Sequence, residues 1–511
     1  MLSSAENFSS LFSWVIGLMY MRWGARLTLA VGGILAAVSW FGLWASLAGL
    51  SHPPFEALLF IFTVQGMGSS MADTVVVASV SENFPERRGQ AIGVAKSFVG
   101  LSAGIFTTVY TGWFGNTDVV GFIFFVGCDF VLAFSAGVWL FRTPPPSYSP
   151  DIHDGECSAV DRRFRGALAW VLLLIILILV GPFLSSMAPA LDASQGKETV
   201  PSPATVLADV LFIVLAFGFV FVSFPVTPCA DRVTAADPAT RTRADERSAA
   251  VPFKPLLQSQ SPQDERHVAT QTQSKPRPLP PRWSYLSMCC VALVLWGGAI
   301  VFLGTGLMLI NNLASMFASR TNDASRSSAV FVSLISACNC AGRVVGGYAS
   351  DVALFRAGLP RPLCLAVACA LEAAAMLILV MEGVAPLYAA CILGGLAYGA
   401  ANGLMPVVIA ELFPAALLPI LYTLIMGTAF AIGSALFSVR LYGATFDAAL
   451  VRHGLGPTEP CPYHDCFAPS MYAAAAAAML AAASFVCLAL VTRDKYAPYA
   501  PSSARAEPSL I

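Results

Sequence analysis

"VSENFPERRG", residues 80–89, sets four charges and a proline between two stretches that are otherwise almost wholly apolar. A shorter form returns 329 positions later as "IAELFP", residues 409–414, so that Glu82, Phe84 and Pro85 recur as Glu411, Phe413 and Pro414. At the same offset Asp73 falls on Asn402, and at 330 the "GLMYM" beginning at Gly17 falls on the "GYASD" beginning at Gly347. Proline ends one helix and can start the next, while side chains of both signs can pair across a gap. A hinge written twice at equivalent places predicts two similar helix bundles, the plan of a transporter whose substrate sits between its halves near mid-membrane. Glu82, Arg87 and Arg88 are therefore candidate gating charges; the plainer reading is that they are solvated loop charges that fix topology.

Composition points the same way. Of 511 residues, 57% are hydrophobic and 12% charged, with a mean hydropathy of +0.71. Soluble chains carry about 25% charged residues. Apolar runs of about 18 or more read as membrane spans. Spans are expected near 8–21, 27–49, 57–80, 90–113, 120–141, 167–186 and 207–226, then near 288–312, 328–349, 362–382, 387–411, 418–440 and 470–491. The fold class is thus an all-α polytopic membrane protein with about 13 transmembrane helices. Residues 227–284 are rich in Pro, Ser, Thr, Gln and charge, a composition that predicts a disordered linker able to recruit cytosolic partners. The expected domains are an N-terminal bundle (1–141), an inserted pair of helices (142–226), the linker (227–284), a six-helix C-terminal bundle (285–495) and a tail (496–511). A net charge of −1 without a basic block gives no support to nucleic-acid binding.

Lys and Arg set the orientation, because short loops that carry them stay cytoplasmic. Arg22, Arg26, Arg87, Arg88, Arg162, Arg163, Arg165, the linker, Arg356, Arg361, Arg493 and Lys495 share one side if the spans alternate; Arg320, Arg326 and Arg452 are the main exceptions. Met1 then falls outside.

Charge inside a membrane is costly, so each intramembrane ionisable residue is a functional candidate. Asp73 and Lys96 fall at similar depth, roughly 14 Å from the basic end. They can pair across adjacent helices, either as a fixed packing element or as a proton-coupled or anion-binding site. Gln65, Ser69 and Asp73 share a helix face, and Lys96, Gly100, Gly104 and Thr107 make a small or polar stripe on the next. Gly394, Tyr398 and Asn402 repeat the Gln65 face in the second half. Ser336, Asn339 and Arg343 form another polar face, with snorkelling as the plain reading of Arg343. Asp129 and Glu372 are lone acids, fit either to carry protons or to stay neutral. Cys461 and Cys466 in "CPYHDC" can close a disulfide, hold a metal with His464, or remain thiols; the spacing lacks the pairing of zinc sites. No nucleophile triad, phosphate-binding loop or ATPase motif occurs, which argues against an enzyme and against primary active transport, and no cofactor is implied.

Several longer motifs carry a resemblance. "NFPERRGQAIGVAKSFVGLSAGIFTTVY" (83–110), "FVSLISACNCAGRVVGGYASD" (331–351), "RPL" (361–363), "ELFP" (411–414) and "CPYHDCF" (461–467) resemble the nodulin-like branch of the major facilitator superfamily. The resemblance implies two six-helix bundles with alternating access, two extra helices between them, and a first helix that precedes the pattern seen here. Asn311 and Asn312 also match it. In the loop "GLMYMRWGAR" (17–26) Arg22, Gly24 and Arg26 fit the superfamily's gating motif, but Met21 stands where an acid is usual. Asp351 fills that role in the second half, so Arg343, Asp351 and Glu411 are expected to form the stronger gate. The function implied is secondary transport of a small solute, with an organic anion such as a monocarboxylate favoured by Lys96. Iron or another metal cation, and a non-transporting receptor or scaffold, are the alternatives.

Overall fold

The computed structural model describes residues 7–84, 87–115, 117–140, 164–180, 206, 209–211, 214, 285–321, 329–456 and 459–497. The expected linker at 227–284, nearly all of the expected span at 207–226, and the tail from residue 498 lie outside the described residues. All regular elements described are helical, as lipid requires of a chain that must satisfy its own backbone polar groups. In the first half, α1 is Ser13–Leu47, α2 Phe55–Asn83, α3 Arg88–Trp113 and α4 Val119–Leu140. Phe164–Val180 forms α5. The second half contains α6 (Tyr285–Thr321), α7 (Ala329–Ala357), α8 (Arg361–Ile378), α9 (Ala385–Leu412), α10 (Ala415–His453) and α11 (Ala468–Val491). Ten of the described helices are long and apolar enough to cross a membrane, and the protein is a multi-pass integral membrane protein.

Three of the thirteen expected spans are not separate members of that set. One falls mostly outside the described residues, and of another only Phe164–Val180, α5, is described. The first two expected spans run together as a single 41-residue helical stretch, Asn7–Leu47. That stretch is not straight. Gly24 sits inside it at φ 75°, ψ 179°, in the left-handed range where glycine alone is at ease. Neighbours on either side show that the chain reverses there. Asn7 meets Ser434 and Gly17 meets Ile420, so this segment descends α10 toward the end where α2 stops and α3 starts. Beyond Gly24, Gly32 meets Gly68 and Gly42 meets Ile61, so the chain climbs back along α2. The "MRWGAR" turn expected between two spans is therefore a reversal inside one helical run.

Tyr20, Leu29, Ala36, Val75, Ala78 and Phe134 join α1, α2 and α4 in one buried cluster. A larger cluster built on Phe302, Leu365, Met405 and Phe485 holds the second half and takes in Val77 of α2 and Tyr496. Between the halves, α3 lies directly on α7. A Cβ on Gly89 would stand 2.7 Å from the Gly347 carbonyl oxygen, one on Gly93 2.6 Å from that of Arg343, and one on Gly100 2.7 Å from the Cys340 nitrogen. Backbones this close leave room for hydrogen alone. Alongside this seam, Val171, Leu174 and Ile178 of α5 pack with Leu101 of α3 and Cys340 of α7.

Gly93→Val should wedge the seam open. Overpacking costs about 1–3 kcal/mol, and a thermal melt of the detergent-solubilised variant should show the loss, whereas Gly297→Ala, a site with nothing within 4 Å, should melt like the wild type.

Candidate functional site

Two groups of charges lie at different depths along the α3–α7 seam. The deeper one centres on Lys96, whose place in α3 is fixed by the glycines that let that helix approach α7. Its Nζ lies 3.0 Å from Asp73 Oδ1 and 3.1 Å from Oδ2 on α2. It also donates to the Tyr422 hydroxyl of α10 at 2.5 Å, and that hydroxyl donates in turn to Asp73. The ammonium sits 5.1 Å from the centre of the Tyr422 ring. Lys96 is 4% exposed, yet the Asp73 side chain keeps 31%, although it lies ten residues inside α2, or about 15 Å from its end. The carboxylate's two partners, Lys96 and Tyr422, lie on neighbouring helices.

Arg343 stands behind Lys96. It donates through Nη1 to the Lys96 carbonyl at 3.0 Å and through Nε to Asn339 Oδ1 at 3.1 Å, and only 4% of it is exposed. The snorkelling expected of it does not occur, because its head is tied to the facing helix. Its charge is within reach of Tyr398, Asp73 and Tyr422. Asn402 donates to the Tyr398 carbonyl at 2.9 Å, and both residues are buried. Gln65 donates to Ser69 at 3.1 Å one turn below Asp73. The structure thus brings together Asp73, Lys96, Asn339, Arg343, Tyr398 and Asn402. Asp129 is not among them: it is exposed on α4. Glu372 is fully buried in α8, with neither carboxyl oxygen hydrogen-bonded among the described residues. Tyr422 escaped the sequence reading, since a tyrosine in an apolar helix carries no signal. The helix opens into wide i→i+5 turns at Thr423–Gly427, directly after it, a departure frequent at functional sites.

The second group closes the end that carries the basic loops. Asp351 accepts from the Gln90 backbone at 2.9 Å, at the start of α3, and pairs with Arg361 Nη1 at 2.7 Å. Arg361 in turn donates through Nε to Glu411 at 2.8 and 2.9 Å and through Nη1 to Ser350 at 2.6 Å. Arg361 is 1% exposed, so it acts as the shared cation of two buried carboxylates. A carboxylate at a helix N-terminus gains further from the unpaired N–H groups there. Among the described residues, no buried network of this kind is seen in the first half. Met21 and Arg22 are exposed, and Glu82 is exposed and makes no ion pair among the described residues. Arg88 donates to the Ser81 carbonyl at 3.4 Å. Arg26 and Arg87 lie at the same end.

At the opposite end Cys461 and Cys466 are joined as a disulfide. Asp465 between them accepts from His453 at 2.9 Å and Arg452 at 2.7 Å, and the His453 bond is the largest influence holding its carboxyl below the usual range. Among the described residues no cluster of three or more His, Cys, Asp or Glu is placed to hold a metal.

Fold and charges together define a helical membrane protein in which segments from both ends of the chain meet around a part-buried, hydrogen-bonded ion pair. Residues 1–224 match the family model described as Nodulin-like. No curated protein matches. Among solved structures, a major facilitator proton:xylose symporter bound to a bromo-deoxyglucose is 14% identical, over 94% of this chain and 84% of its own, with a TM-score of 0.49. The fucose:proton symporter of E. coli is 12% identical over 94% and 89%, with a TM-score of 0.44. An auto-inhibited peptide transporter of the POT family is 13% identical over 99% and 89%, with a TM-score of 0.47. Superpositions this loose fix no residue's role here.

Removing the shared cation should be costly. Arg361→Ala leaves two buried carboxylates facing each other, a loss of about 3–5 kcal/mol, and is expected to lower the melting temperature sharply. Glu82→Ala, the equivalent change at the exposed hinge of the first half, should leave it unchanged.

Proposed function

We propose that this protein is a non-enzymatic secondary transporter of the major facilitator type, with about 13 spans in two bundles. It moves a small organic anion by alternating access and couples the movement to a proton through Asp73, Lys96 and Tyr422. One observation carries this reading: Asp73 and Lys96 belong to the first half, and the hydroxyl that bridges them comes from the second. A change in the charge of the pair is therefore felt directly at the contact between the bundles.

The chemistry runs in a definite order. With Asp73 ionised, Lys96 is neutralised and Tyr422 is held, which keeps the bundles joined at mid-depth. Protonation of Asp73 at its exposed edge removes the ammonium's counter-charge and weakens the acceptor of the Tyr422 hydroxyl. A carboxylate solute arriving there then supplies the missing negative charge to Lys96. With Tyr422 released, the Arg343–Lys96 carbonyl bond and the network of Asp351, Arg361 and Glu411 with the start of α3 hold the basic end less firmly, so that part of the population opens there. Breaking the remaining contacts opens that end fully. Arg343 holds the carbonyl of Lys96 and so keeps the ammonium aimed at Asp73.

Proteoliposomes loaded with full-length protein should accumulate a labelled monocarboxylate when the outside is acidified, and Lys96→Ala should abolish the uptake. Asp73→Asn should leave exchange of solute across the membrane but remove its dependence on the pH gradient. Uptake of ferrous iron in place of every organic acid, or no flux of any solute from folded and oriented protein, would overturn the proposal; the second result would favour a receptor or scaffold.

A further inference from the structure

α11 ends at Val491, and one more helical turn, Arg493–Tyr496, follows it at the basic end. Thr492 joins the two. It is fully buried, its hydroxyl donates to the Leu488 carbonyl at 2.7 Å, and its own carbonyl accepts from the Lys495 nitrogen at 3.0 Å. Lys495 Nζ then donates to the Leu412 carbonyl at 2.7 Å. Leu412 is the last residue of α9, where carbonyls lack intrahelical donors and the helix dipole favours a cation. The residue before it is Glu411, which accepts from Arg361 Nε through both oxygens. Tyr496 is 1% exposed and shares a buried cluster with Leu365 of α8, Leu412 and Phe413 at the end of α9, and Leu418 of α10. It also lies within reach of the Arg361 charge. The turn therefore borders both members of the Arg361–Glu411 pair.

Ser350, Asp351, Arg361 and Glu411 all belong to the second half. The hydrogen bond that joins them to the first half runs from the Gln90 N–H to Asp351, and the charge of Arg88 is within reach of Glu411. Two ways of opening this end differ greatly in cost. Taking the network apart leaves buried carboxylates without their cation, whereas parting Asp351 from Gln90 breaks one bond at the start of a helix. A carboxylate already held in place also loses less freedom when it accepts that bond again. We propose that Lys495 and Tyr496 are positioning residues for the latch. They clasp the Arg361 network into one unit of the second half, so that the basic end opens and closes at the Asp351–Gln90 bond. The clasp rests on the reading of this end as a gate, and it does not depend on the solute or on Asp73.

Hydrogen exchange at the Gln90 amide reads that bond directly. Gln90 is the third residue of α3, where N–H groups have no intrahelical acceptor, so the bond to Asp351 is what slows its exchange. In detergent-solubilised full-length protein, mass-spectrometric exchange at Gln90 should be several-fold faster in Lys495→Met and in Tyr496→Ala than in the wild type. Lys495→Arg, which keeps a cationic donor at the end of α9, should exchange as the wild type does. Amides in the middle of α8 should be unmoved in all three, and a melt confirms that each variant is folded. Unchanged Gln90 exchange in folded Lys495→Met would overturn the clasp. Faster exchange spread evenly through α8 and α9 would overturn it too, because the turn would then be a packing element of the whole bundle. Gln90 exchange that is fast in the wild type and unaltered by Asp351→Ala would overturn the gate reading and the clasp together.

Discussion

An ammonium group 4% exposed in the middle of an apolar helix is the constraint around which the molecule is arranged. A charge near the bilayer centre costs about 2.5–3.5 kcal/mol on insertion scales, and that cost is offset only where partners converge from other helices. Lys96 receives both oxygens of Asp73 and the hydroxyl of Tyr422, and so draws α2, α3 and α10 to one point. The convergence in turn requires α3 to lie at backbone contact with α7, and Gly89, Gly93 and Gly100 make that approach sterically open. Arg343 uses the same closeness, reaching across the seam to the carbonyl of the lysine it stands behind.

The two halves repeat a plan without sharing a strength. Glu411 lies in a buried network in which Arg361 serves two carboxylates, while its sequence counterpart Glu82 is exposed. The difference follows from single residues. Asp351 reaches the start of α3 across the seam, and Met21, at the corresponding turn of the first half, has no charge to offer. Tyr422, Arg343 and Asp351 each reach from the second half to the first, Tyr422 and Arg343 at Lys96 and Asp351 at the start of α3. Along the same seam α5 adds an apolar strip, Val171, Leu174 and Ile178, that touches both α3 and α7.

Much of this was legible in the sequence, because hydropathy and the twice-written hinge report directly on lipid and on internal symmetry. Asp73 and Lys96 could be paired from helical rise alone. That the second-half turn offers a charge where the first-half turn does not could be read from Asp351 against Met21. What resisted reading was contact between distant segments. Tyr422 joins the cluster from 326 positions beyond Lys96, and nothing local distinguishes it from other aromatics in apolar helices. Arg343 looked like a residue near an interface because its depth is legible and its partner is not. Asp129 and Glu372 looked alike as lone acids, yet one faces outward and the other is sealed, a difference set by which helix covers each face. The reversal at Gly24 was expected as a loop, and it is instead one residue in a left-handed conformation.

The central claim is that the charge of Asp73 governs whether the bundles stay joined, and a distance between them tests it most directly. Spin labels at Glu82→Cys and Leu417→Cys report across the basic end once the exposed Cys289, Cys290 and Cys487 are replaced by serine. Pulsed electron–electron resonance on this background should show one short distance at pH 7.5 and a longer population on introducing Asp73→Asn, with Tyr422→Phe shifting it the same way. A distance distribution unmoved by Asp73→Asn would contradict the account, because the ion pair would then be a packing element with no hold on the bundles.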